Sequence, residues 1–193
     1  LTNRYYDDEH ELLADVGRAM RTEYQAITDA GLTVQFDAPD LAEAWDQINP
    51  EPSVEDFRGF IRERIDVLND PIAGLPKEQT RLHICWGSWH GPHTTDLEFK
   101  HLVRTMLQIN AGAFSFEAAN ARHEHEWRVW EDVSLPEDKL IIPGIVSHAT
   151  NVVEHPELVT WRPAHVAVET AGRVTRGVAV ADLLQWQDAP EPN

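Results

Sequence analysis

Apolar residues recur every three or four positions along residues 7–30. Leu12, Val16, Met20, Tyr24 and Ile27 would share one side of a helix, and Gly31 would end it. "LTVQFDAPD" then reads as a short strand closed by Pro39. The acidic, proline-dotted stretch from Asp40 to Pro52 reads as a loop with room for a short helix. Ser53 is placed to cap a second long helix, "VEDFRGFIRERIDVL", with Glu55 and Asp56 in its first turn. The rhythm then repeats. "TRLHICWG" predicts a strand, and residues 95–110 a helix with Phe99, Leu102, Val103, Met106 and Leu107 on one side. "AGAFSFEAA" predicts a strand, "RHEHEWRVWEDV" a short helix, "KLIIPGIVS" a strand, and the chain from about Pro156 a helix. A weaker fifth strand falls near "RVTRGVAVA", and the proline- and acid-rich "QDAPEPN" reads as a frayed end.

Strands alternating with helices imply parallel βα units and an α/β fold. A closed (β/α)8 barrel needs eight strands and typically about 250 residues. A chain of 193 residues with four to five βα units is too short for that. It reads as one domain over residues 1–193, either an open α/β sheet or part of a barrel.

Composition narrows the partners more than the fold. The formal net charge is −17, which repels nucleic acid and anionic lipid, so neither is expected as a partner. No apolar run is long enough to span a membrane, and "LTNRYYDDEHELL" lacks the pattern of a signal peptide. The single cysteine excludes an intrachain disulfide and fits a reducing, cytoplasmic setting.

That cysteine lies in "LHIC". Residues two apart on a strand share a face, so His83 and Cys85 project together, and imidazole with thiolate makes a natural zinc pair. A free cysteine is also among the most buried residue types, and H-x-C alone does not choose between ligand and core. Other residues stand at the same topological level. Glu117 closes "AFSFE", His148 follows "GIVS", and Asp37 closes "VQFD". All lie at or just past C-terminal strand ends, where barrel sites assemble. "RHEHEW" reads differently: alternate residues on a helix do not share a face, so His123, His125 and their flanking acids read mainly as a solvated helix start, with one of them able to reach a substrate. His90 and His93 fall on a glycine–proline loop placed to cover the site, and Trp86 and Trp89 read as its apolar wall or as core caps.

Through "VQFDAPDL", "LHICWGSWHGPH", "GAFSFEAANARHEHEW" and "IIPGIVSHATNVVEHPELV", in that order, residues 1–162 resemble the cobalamin-independent methionine synthase family, in particular its single-barrel bacterial and fungal branch. The resemblance implies a (β/α)8 barrel, here a partial one, with one zinc at the C-terminal strand ends. It implies His83, Cys85 and Glu117 as zinc ligands, Asp37 in the substrate pocket, and His148 as an acid or folate contact. Two departures stand out. The family barrel has further strands before the part matching residue 1, so the chain looks like a C-terminal portion. The family's second cysteine, in a D-C-G motif, has no counterpart, because from about residue 163 the sequence diverges and runs through "GRVTRGVAVADLLQWQ". Asp182 falls near that position without a ligand role to assign it.

The activity so implied is a zinc-dependent methyl transfer to a homocysteine thiolate from a methyl folate. Asp37 would hold the amino group and His148 would protonate the leaving amine. The same ligands would serve another zinc-dependent thiol alkyltransferase, such as one opening epoxides with coenzyme M. A third reading is an inactive or incomplete barrel. The open sheet predicts a homo-oligomer, or a complex with a complementary barrel segment.

Overall fold

The computed structural model describes residues 3–87, 93–147 and 150–169, with 163–169 described by their backbone alone. The first helix, α1, spans Glu9–Asp29. The Asp8 carboxylate caps it by accepting from the Glu11 N–H at 2.8 Å. Gly31, at φ +76°, takes the left-handed conformation that lets the chain leave the helix. Strand β1 follows as Val34–Asp37. The acidic loop holds a 3-10 turn at Pro39–Leu41 and one turn of helix, α2, at Ala44–Gln47.

Helix α3 runs from Val54 to Ile72, four residues beyond the stretch the sequence pattern marks. Its cap is the expected one, with Ser53 Oγ accepting from the Asp56 N–H at 3.1 Å. Phe57, Ile61, Ile65 and Ile72 are buried along one face. The far end is closed by α1, whose Arg21 guanidinium donates to the carbonyls of Asp70, Pro71 and Ala73 at 3.2, 3.0 and 2.9 Å. These carbonyls stand at the C-terminal end of the helix, where the Asp70 carbonyl also accepts the Ala73 N–H, so a cation there meets the negative end of the dipole. Gly17 lets the two helices approach, and a Cβ there would stand 3.4 Å from the Pro71 ring.

Strand β2 is Thr80–Ile84, β3 is Ala113–Glu117 and β4 is Leu140–Gly144. All pair in parallel, in the order β1-β2-β3-β4. The weaker fifth strand falls outside the described residues. The architecture is thus α/β with a four-stranded parallel sheet, as a partial barrel requires. Two features fix the entry into β3. The Gly112 N–H donates to Thr80 Oγ1 at 3.1 Å, and a Cβ on Gly112 would fall 2.1 Å from the Lys77 carbonyl oxygen. Below it, the buried Lys139 donates to the carbonyls of Ile109 and Ala111 at 2.6 and 3.2 Å.

Between β2 and β3 the expected continuous helix is replaced by a 3-10 turn, Phe99–His101, and one helical turn, α4, at Val103–Met106. The apolar residues are buried as the periodicity demands. The preceding backbone, however, is committed elsewhere: Glu98 is extended, the Leu97 carbonyl accepts from the Trp86 indole at 2.8 Å, and the Phe99 N–H donates to Glu126 at 2.7 Å. Helix cannot start before those groups are free. After β3 come a 3-10 stretch at Glu124–Arg128 and α5 at Val129–Asp132, and after β4 comes α6 at Pro156–Glu169.

The sheet's two faces differ. Val34, Phe36, Leu82, Ile84, Phe114, Phe116 and Ile141 form a buried core with residues of α3 and α4 and with Phe99 and Trp130. The opposite face carries Gln35, Asp37, Arg81, His83, Ser115, Glu117, Leu140 and Ile142, half-buried or exposed. Among the described residues no helix is long and apolar enough to cross a membrane.

Candidate functional site

The register aligns the polar face. Asp37 pairs with His83, His83 with Ser115, and Ser115 with Ile142, forming one row across all four strands. One residue beyond the Ile84–Phe116 and Phe116–Pro143 pairs stand Cys85, Glu117 and Gly144. Alternation in β2 and β3 turns the bulky apolar neighbours to the core and these side chains to the other face. Together Asp37, His83, Cys85, Ser115, Glu117, Asn120 and Ser147 line one cavity of about 290 Å³ at the C-terminal strand ends.

Several of these side chains are held by neighbours. His83 Nδ1 lies 3.3 Å from Ser115 Oγ. Glu117 Oε2 accepts from the Asn120 amide at 3.1 Å, and Asn120 Oδ1 in turn accepts the Arg122 N–H at 3.1 Å. Burial pushes the Cys85 thiol above its ordinary pKa; the Gly87 N–H opposes the rise, and the carboxylates of Asp37, Glu117 and Glu43 add to it. Gly87 donates from a tight turn at φ +87°. Beyond β4, Glu154 Oε2 accepts the Ser147 N–H at 2.8 Å, while Arg162 binds Glu154 Oε1 at 2.6 Å and the Ile145 carbonyl at 2.8 Å.

Four of the five residues singled out in the sequence, Asp37, His83, Cys85 and Glu117, therefore open on one cavity. His148 lies outside the described residues, as do His90, Trp89 and Asp182. Among the described residues no three His, Cys, Asp or Glu side chains are placed to hold a metal ion. Trp86 is a core residue, stacked on His123 with ring centroids 4.1 Å apart, and forms no wall of the cavity.

The sequence reading missed two things. Ser115 occupies the position two before Glu117, so the alternation that paired His83 with Cys85 also places it on the polar face. "RHEHEW" is not mainly solvated. His123 is 5% exposed and Glu126 8%, while His125 is exposed. The two histidines do part to different sides, as helical geometry requires; the acids that bury His123 come from sequence positions three and 27 residues away.

No family model and no curated protein matches the chain. Among solved structures it is similar to a B12-independent methionine synthase from Shewanella sp. W3-18-1, in complex with selenomethionine. The TM-score is 0.67 at 19% sequence identity, over 95% of this chain and 57% of that one. At that identity the likeness is one of fold. The chain spans little more than half the length of the solved protein.

Proposed function

We propose that the cavity at the strand ends is the site of a methyl transfer to a thiol, of the methionine synthase kind. The observation that carries this reading is the convergence of Asp37, His83, Cys85 and Glu117, from three adjacent parallel strands, on one cavity. Imidazole, thiol and carboxylate are a donor set that suits zinc in kind. Among the described residues the three do not stand together as a metal site; His83, Cys85 and Glu117 would have to draw together to hold it, one donor short of a closed site, which would leave a position for substrate. When bound, zinc keeps a coordinating thiol deprotonated at neutral pH. The chain's own groups do the rest. Ser115 fixes the His83 ring, Asn120 fixes the Glu117 carboxylate, and Asp37 is placed to hold a substrate ammonium group by a charge-assisted hydrogen bond. His148, next to the cavity-lining Ser147, would supply the proton that the departing amine needs.

The polar face also calls for a cover. Leu140 is exposed on it, and among the described residues β1 and β4 each have one unpaired edge. A second copy, or a complementary barrel segment, pairing there would extend the sheet and cover this face.

Zinc titration followed by homocysteine addition tests the reading. Uptake of about one zinc per chain, lost in Cys85→Ser, with proton release when homocysteine is added, is expected. A protein that takes up no zinc at micromolar concentrations overturns it. Sedimentation at several concentrations tests the cover, and a concentration-independent monomer would exclude self-association.

A further inference from the structure

Behind the sheet, away from the cavity, a buried charge cluster ties together the segments that follow β2 and β3. His123 is at its centre. Its Nδ1 stands 2.7 Å from Glu126 Oε2 and its Nε2 stands 3.1 Å from Asp96 Oδ2, and all three side chains are at least nine-tenths buried. The two carboxylates thus grip both ring nitrogens, and they are held in turn, with the Arg122 guanidinium 3.4 Å from Asp96 and the Phe99 N–H on the other oxygen of Glu126. His93 adds a further contact, its Nδ1 lying 3.1 Å from Asp96 Oδ1.

Trp86 is what this cluster grips. The flat face of His123 lies against the indole at 4.1 Å and 21°, the Phe99 ring meets it edge-on at 6.0 Å, and the Leu97 carbonyl accepts its N–H. Trp86 separates Cys85 from Gly87, the residue whose N–H is bonded to the thiol. With Trp86 pinned to the core side, Cys85 must project to the cavity side, and Gly87 must turn back over it.

We propose that His123 is a positioning residue: held at both ring nitrogens between Asp96 and Glu126, it locks Trp86 and thereby fixes the Cys85 thiol in the cavity. Its bearing on methyl transfer rests on the function proposed above; its bearing on the thiol does not.

Because the chain has one cysteine, alkylation reports on this site alone. The test measures iodoacetamide labelling of Cys85 at fixed pH in metal-free protein, for the wild type and for His123→Gln, with circular dichroism to show that each is folded. His123→Gln should label faster by about tenfold, as expected where local opening is made easier. A change of less than about threefold in a folded variant overturns the proposal. Should that variant not fold, Asp96→Asn, which keeps an acceptor but removes the charge, takes its place under the same criterion. None of these readings uses zinc or a methyl donor, so failure of the functional reading would leave them unchanged.

Discussion

Ser115 and His83 stand side by side on β3 and β2, with the serine oxygen 3.3 Å from imidazole Nδ1. If Nδ1 keeps its proton for that oxygen, Nε2 is the nitrogen left to coordinate. Choosing a tautomer in this way is how groups behind a ligand raise metal affinity.

Ser115→Ala should therefore weaken zinc binding by about 10- to 100-fold while changing fold stability by no more than about 1 kcal/mol. Competition against a chromogenic chelator reads the first and urea unfolding the second. Equal zinc affinity in the two proteins would show that Ser115 does not orient His83.

Glu154 holds the segment after β4 and is sensitive to acid. The Arg162 guanidinium bonded to it, aided by the Ser147 N–H, lowers its pKa below its ordinary value of 4.5, against a smaller opposing effect of burial. A carboxylate with a depressed native pKa contributes stability that is complete above its unfolded pKa and is lost as pH falls through the native one. Below about pH 4.5 the wild type should lose stability more steeply than Glu154→Gln, which cannot titrate. Parallel stability curves for the two proteins from pH 6 down to pH 3 would refute this.

Lys139 has the opposite sense. Burial lowers its pKa from 10.5, so over the range between its native pKa and 10.5 the unfolded chain holds more protons than the native one. Stability contributed at this site therefore rises with pH across that window. Relative to Lys139→Met, the wild type should gain stability as pH is raised toward 10.5. Lys139→Met should itself be destabilised, by about 1–3 kcal/mol, since the carbonyls of Ile109 and Ala111 lose their donor. Thermal unfolding of both proteins between pH 8 and pH 10 checks the slope.

Gly112→Ala should cost about 3 kcal/mol or more, because the added methyl would meet the Lys77 carbonyl, a backbone group that cannot swing aside as a side chain could. A neutral effect on the denaturation midpoint would mean that the β2–β3 entry is looser than it is drawn here.

The elements that the sequence made legible are those whose signal is local. α1 and α3 carry an apolar stripe and a capping side chain within a few residues, and β2 and β3 show alternation in five residues each. The same alternation puts His83 and Cys85 on one face, and the shared position at C-terminal strand ends adds Asp37 and Glu117. The region from 95 to 110 misled because burial and helicity were read from one pattern. Phe99, Leu102, Val103 and Met106 are buried, but acceptors and donors as distant as Trp86 and Glu126 hold the backbone before them. His123 was misread for the same reason. Its flanking acids in the sequence suggested solvent, and the Asp96 that helps bury it arrives only through the fold.

The simple order of the strands also has a temporal consequence. Among the described residues each strand pairs only with its neighbours in sequence, so every step of sheet formation closes the loop of a single βα unit. Each closure is still long, Val34 pairing with Thr80, but the order suits assembly during synthesis. The β1–β2 pair can form, with α3 laid against it, while the residues of β3 and β4 are still being added, and each new strand finds an edge already in place. Pulse-labelled hydrogen exchange on refolding protein would record that order as protection spreading outward from the first pair.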